Sequence, residues 1–306
     1  MNEGGPDSAH GDQEARNAKA RREIARAAGV AMIGATASLE EEAFVAEGIG
    51  PMGLVLLALA ARGRRLLRSV YRLVDAGERA EAAPLLRVLH EYLIVSRWLL
   101  ADPDKHLPLW AKDDLRKRDT VRERVLADEE IGNDVKQAIR DEGGAEHEKV
   151  RALLAETADG EQLDNDDDHC PTCGRTRRGR GKGLPPLEQM AAHVGLGFAY
   201  DLAYRLQSQA DVHATALVVD NTLTRREDGS IMLRPEPDFG LSAYDSYQIG
   251  AHLLLDLLRP VDERWPSLGW GPVLDAAADS LEAIRRSDPA YVGRPAGEDS
   301  SDGGST

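Results

Sequence analysis

Two cysteines are all that this chain of 306 residues holds, Cys170 and Cys173, and two cannot build a disulfide framework. The expectation is a protein of the reducing cytoplasm. No uncharged apolar run of about 18 residues occurs, the length a membrane span needs. The nearest run, 51–61, is too short and is followed at once by Arg62, Arg64 and Arg65. The first residues are polar and acidic and hold no signal-peptide core. Excess basic charge is also missing. The 38 Lys and Arg stand against 53 Asp and Glu, and a net charge of −15 excludes broad, sequence-independent duplex binding. No H-E-x-x-H occurs, since His90-Glu91 and His147-Glu148 both lack the second His. No internal repeat is evident.

What is present is helical periodicity. A hydrophobic content of 42% is enough for one large helical domain or two small ones. Leu56, Leu59, Leu66, Leu67, Val70 and Val74 form one broad stripe, with Arg62, Arg65, Arg68 and Arg72 elsewhere, so 54–74 is expected to be helix. Gly77 ends it, and 78–100 follows with Leu85, Leu86, Leu89, Leu93 and Trp98 apolar. So short a link implies an antiparallel hairpin. A third helix starts at Asp102-Pro103 and runs to about Asp128. Residues 130–157 read as one or two helices interrupted at Gly143-Gly144, and later helices are expected from Pro186, over 198–217, 242–258 and 272–286. Near the start, Asp12 reads as an N-cap, and Ser38 with Glu41 as a capping box. Residues 222–234 differ: two short strands flank Asp228-Gly229, a hairpin signal. The expected fold class is all-α, a multi-helix bundle with one short β-hairpin and a C-x-x-C loop insertion. The expected organisation is a disordered tail 1–12, an N-terminal helical part 13–158, the C-x-x-C and basic loop 159–184, a C-terminal helical part of the same bundle 185–292 with hairpin 222–234, and a disordered tail 293–306.

Two constellations could carry chemistry. Arg87 and Glu91 stand one helical turn apart in a helix that is otherwise largely apolar, with His90 adjacent. A charged pair near a core is costly unless fully hydrogen-bonded, which marks a candidate polar site. The plainer alternative is a surface i, i+4 pair worth a few tenths of a kcal/mol. Farther on, Tyr204 and Ser208 share a helical face and His213 follows. An R-x-x-x-E on an early long helix, then Y-x-x-x-S, H-x-T and a hairpin, resembles the uncharacterised bacterial helical family known as domain of unknown function 5677. The resemblance spans roughly residues 50–258. It implies that Arg87, Glu91, Tyr204, Ser208 and His213 are the site residues, and it implies no reaction. The C-x-x-C insertion departs from the family pattern.

The cysteines lie in His169-Cys170-Pro171-Thr172-Cys173-Gly174, a zinc-knuckle-like turn. Two thiolates fill half of a tetrahedral site, and no second C-x-x-C closes it. His147 and His193 flank the insertion and are candidate third and fourth ligands, with zinc as the implied cofactor. Free thiols in a loop are the alternative. A redox C-x-x-C lacks its βαβ context, and the zinc-deaminase pattern fails because His169, not Pro, precedes Cys170. The basic run Arg175–Lys182 could contact RNA locally or balance the preceding Asp164–Asp168; it holds no aromatic residue on which bases would stack.

These residues leave three functional readings open. One is an uncharacterised helical protein with a polar cleft of Arg87, Glu91, Ser208 and His213 and a zinc-binding loop. Another is a metal-independent ribonuclease or toxin-like effector in phage defence, using the Arg-and-His chemistry of HEPN nucleases (R-x4–6-H). Arg205 and His213 are one residue too far apart for that motif; Arg140 and His147 fit it but lie across Gly143-Gly144. The third is a helical adaptor that forms a homodimer.

Overall fold

Pro and Gly set several helix starts and stops in this chain. The computed structural model describes residues 6–40, 49–155, 184–201, 223–225, 230–233 and 243–287. Helix α1 (Pro6–Ala35) opens on Pro6. Pro suits a first helical position, where its φ is preset and its missing N–H has no partner to lose. The helix thus begins ahead of the expected start, Asp12 lies inside it rather than capping it, and the 1–12 stretch is helical from Pro6 onward. Ser38 lies in a short 3-10 turn, Ala37–Glu40, and Glu41 of the expected capping box is outside the described residues.

Helices α2 (Gly50–Asp75) and α3 (Arg79–Ala101) are joined through Gly77, whose φ is +88°. Its N–H donates to the Val74 carbonyl at 3.1 Å, and the Glu78 N–H donates to the Leu73 carbonyl at 2.8 Å. This pair of bonds closes a helix end around a left-handed residue, a conformation glycine adopts without strain. Helix α4 (Pro103–Ala127) again starts on a proline. Helix α5 (Asn133–Ala155) packs on α4 and runs unbroken through Gly143-Gly144, where the sequence led us to expect an interruption. A mid-helix glycine costs only about 1 kcal/mol. Here Gly143 is buried under Arg122 of α4, whose Nε would lie 3.1 Å from an added Cβ.

Helices α6 (Leu187–His193) and α7 (Gly197–Ala199) follow. Strands β1 (Leu223–Arg225) and β2 (Ile231–Leu233) pair antiparallel, with Leu223 opposite Leu233 and Arg225 opposite Ile231, inside the 222–234 span. Helices α8 (Ala243–Arg264) and α9 (Gly271–Ser287) complete the described chain. The chain is mostly helical, the all-α class expected. Among the described residues no helix is long and apolar enough to cross a membrane. Apart from Leu184 the C-x-x-C loop lies outside the described residues, as do the 293–306 tail and the remainder of the expected 198–217 helix beyond Asp201.

The chain groups into two compact units by packing and not by chain order. The first comprises 1–38, 64–86 and 221–306; the second comprises 39–63 and 87–220. In the first unit α1 packs on α8 and α9. Apolar residues recur at helical spacing along α8 (Ala251, Leu254, Leu258, Val261) and α9 (Leu274, Ala277, Leu281, Ile284), and all are buried. Arg259 of α8 ties to α9 through Asp275 at 2.7 Å and the Leu274 carbonyl at 3.1 Å. In the second unit Ile94, Trp98 and Leu99 of α3, Leu107 of α4, and Met190 and Ala191 of α6 form one buried cluster. Val55 and Leu59 of α2 pack against it.

Candidate functional site

Helix α3 carries a polar-to-apolar stripe within the second unit. Arg87, His90, Glu91, Ile94 and Trp98 fall at i, i+3, i+4, i+7 and i+11, so they share one face. Ile94 and Trp98 are fully buried, and the same face is polar one to two turns earlier. Arg87 and Glu91 are half-buried and His90 is buried. Neither charged residue is fully solvated.

His90 stands out electrostatically. Burial pushes its imidazole below its ordinary titration range, which keeps the ring neutral near pH 7. Its Nδ1 is buried with no hydrogen-bond partner among the described residues, and the same holds for the Trp98 indole Nε1. A buried polar atom left so costs about 1–3 kcal/mol. Such atoms call for a partner, either a ligand or another part of the chain.

At the apolar end of the stripe the Trp98 ring stacks on His106 of α4, with centroids 3.8 Å apart and planes 11° from parallel. The Trp98 carbonyl accepts a hydrogen bond from His106 Nδ1 at 2.5 Å. A carbonyl cannot donate, so the proton sits on Nδ1 and the neutral ring keeps its lone pair on Nε2. Burial lowers the pKa of His106, an effect partly offset by that hydrogen bond. His193, at the exposed end of α6, meets the His106 ring edge-on with centroids 5.7 Å apart.

A third polar group joins α4 and α5. Asp119 accepts hydrogen bonds from His147 Nε2 at 2.9 and 3.0 Å and from Arg122 at 2.9 Å. The His147 bond is the main reason the Asp119 carboxyl is held below its usual range.

Of the residues the sequence singled out, Arg87 and Glu91 are thus brought to one partly buried face. His147 and His193 have different neighbours, Asp119 and His106. Tyr204, Ser208, His213, Cys170, Cys173 and the Arg175–Lys182 run lie outside the described residues. Among the described residues no group of three or more His, Cys, Asp and Glu side chains is placed to hold a metal ion.

Sequence reasoning missed His106 and Asp119, and it missed a polar group in the first unit. There Arg26 of α1 grips Asp75 of α2 through two bonds of 3.1 and 2.7 Å. The Tyr247 hydroxyl of α8 donates to the same carboxylate. The Arg26 bonds hold the Asp75 carboxyl below its usual range, and burial together with Asp75 pushes Tyr247 up to about 12. Tyr71 meets Tyr247 edge-on with centroids 4.9 Å apart and donates to the Tyr247 carbonyl at 3.2 Å. A visible hint was Tyr71 and Asp75 one turn apart; their partners lie too far along the chain to be read from it.

Residues 53–231 match the family of unknown function DUF5677. The chain belongs to this family. No curated protein and no solved structure is significantly similar to it. The part shared with DUF5677 contains the whole of α3, α4, α5 and α6, and with them Arg87, His90 and Glu91. The span also covers Tyr204, Ser208 and His213. Helices α1, α8 and α9 lie outside the DUF5677 match.

Proposed function

We infer that this DUF5677 protein binds a phosphate-bearing ligand at a polar site on α3, with Arg87 as the anion clamp and Glu91, Ser208 and His213 as its polar partners. The observation that carries this reading is the α3 face itself. Arg87 and Glu91 are half-buried on the same face as fully buried Ile94 and Trp98, and the His90 Nδ1 between them has no partner among the described residues. A guanidinium in a partly desolvated setting binds phosphate more strongly than one in water, because charge-assisted hydrogen bonds gain as the local dielectric falls. Glu91 would orient the guanidinium, and the neutral His90 ring would offer one further hydrogen-bond group. The test is a thermal-shift titration with inorganic phosphate, a nucleoside monophosphate and a short single-stranded RNA. At least one probe should raise the melting temperature of the wild type, and Arg87→Ala should abolish that rise while keeping the wild-type circular dichroism. Failure of every probe on the wild type would remove this reading.

A second reading, metal-independent RNA cleavage, is favoured by a separate observation. Because α5 is unbroken, Arg140 and His147 of the R-x6-H spacing stand two turns apart on one helix, near one face. His147 donates through Nε2 to Asp119, which leaves Nδ1 as the nitrogen able to take a proton when the ring is neutral. If the chain cleaves RNA in the presence of a chelator, His147→Ala and His213→Ala separate this helix from the H-x-T segment as the source of the acid–base group.

A further inference from the structure

We propose that His106 and His193 together bind one divalent transition-metal ion of the zinc class. The two imidazoles meet with centroids 5.7 Å apart and planes 77° from parallel. Two imidazoles on one tetrahedral ion, with metal–nitrogen bonds of about 2 Å, place their centroids about 5 Å apart, so His193 has to close in and turn a ring nitrogen toward the side of His106 Nε2 by an adjustment of its side chain. His193 is free to make it, being exposed at the end of α6, which also gives the ion a route from solvent.

His106 is already arranged as ligand histidines are. Its Nδ1–H is committed to the Trp98 carbonyl at 2.5 Å, which directs the lone pair to Nε2. A backbone carbonyl in that role fixes both tautomer and ring orientation in metal sites. The stacked Trp98 ring holds the imidazole plane, and His106 is itself buried. Two neutral imidazoles favour zinc, cobalt, nickel or copper over magnesium or calcium, which prefer oxygen. The remaining coordination positions stay open to solvent or a further ligand. This assignment replaces His147 with His106 beside His193, since His147 gives Nε2 to Asp119. It is independent of the phosphate reading, which involves neither histidine.

The test is titration of the full-length chain with Co2+, read by its visible absorption and by displacement with Zn2+. The wild type should bind one Co2+ per chain. His193→Gln changes only an exposed side chain and should weaken binding at least about tenfold. His106→Gln should do the same, checked for retained fold by circular dichroism because that residue is buried. His147→Gln should bind as the wild type does. The Cys170→Ser, Cys173→Ser double variant should still bind. The proposal is overturned if the wild type takes up no Co2+, if His193→Gln binds unchanged, or if only the loss of the cysteines or of His147 abolishes binding.

Discussion

Two polar groups, one in each unit, are built in opposite ways. In the first, Arg26, Asp75, Tyr247 and Tyr71 close on one another: a carboxylate takes two guanidinium bonds and a phenol, and the second phenol donates to a backbone carbonyl. In the second, one face of α3 passes from fully buried Ile94 and Trp98 to a half-buried Arg87 and Glu91, and the buried His90 Nδ1 and Trp98 Nε1 have no partner among the described residues. A closed polar group holds helices together and has little capacity left for a ligand. A buried polar atom with no partner among the described residues needs one, either a ligand or another part of the chain. The DUF5677 match includes all of α3 to α6, together with Tyr71 and Asp75 of the first group, and omits α1, α8 and α9.

The largest blow to the second unit should come from Trp98→Ala. The side chain is fully buried and stacked on His106, so its loss should cost about 3–5 kcal/mol, read from the urea midpoint. Gly29→Ala is the matching blow to the first unit. An added Cβ would overlap the Tyr71 hydroxyl, so Tyr71 must leave its place between α1 and α8, at about 2–3 kcal/mol. Equal indifference to both changes would break the packing account of each unit.

Two smaller changes sharpen the account of the closed group. Tyr247→Phe removes the phenol that donates to Asp75 and should cost about 1 kcal/mol near neutral pH. The Tyr247 pKa is raised from its ordinary value near 10 to about 12, so its stabilisation is complete below pH 10 and is lost as pH rises toward 12. The fall in urea midpoint over that window should therefore be shallower in Tyr247→Phe than in the wild type. Asp75→Asn should cost about 1 kcal/mol or less, because both Asp75 and Arg26 are more than one-third exposed and water screens the pair. Here the sign is reversed. The folded carboxyl lies below its ordinary value near 3.8, so its contribution is present above that pH and fades as pH falls through the folded value. Asp75→Asn should flatten the acid limb of the stability curve.

Much of the helical frame was legible. The apolar stripe of α2, the stop at Gly77 and the restart at Pro103 are local signals, and local signals decide helix ends. What was misread depended on packing or on a choice between signals. Gly143-Gly144 looks like a break until Arg122 of the neighbouring helix is seen lying against it. Asp12 looks like a cap because Pro6, an equally good start, sits in a polar stretch. The candidate site divides along the same line. Arg87 and Glu91 could be found because they are one turn apart on one helix. The Asp119–His147 pair spans 28 residues, and the Asp75–Tyr247 pair spans 172, and neither distance leaves a pattern in the sequence. His106 was invisible for another reason: its partner is a backbone carbonyl, which no side-chain motif encodes.

The central claim is that the α3 face of the second unit, and not the Arg26–Asp75–Tyr247 group of the first, binds the ligand. Isothermal titration of the wild type, Arg87→Ala and Asp75→Asn with whichever phosphate-bearing probe stabilises the wild type tests it most directly. The account predicts at least a tenfold loss of affinity, about 1.4 kcal/mol, in Arg87→Ala and wild-type affinity in Asp75→Asn. Unchanged binding by Arg87→Ala, or an equal loss in Asp75→Asn, would contradict it.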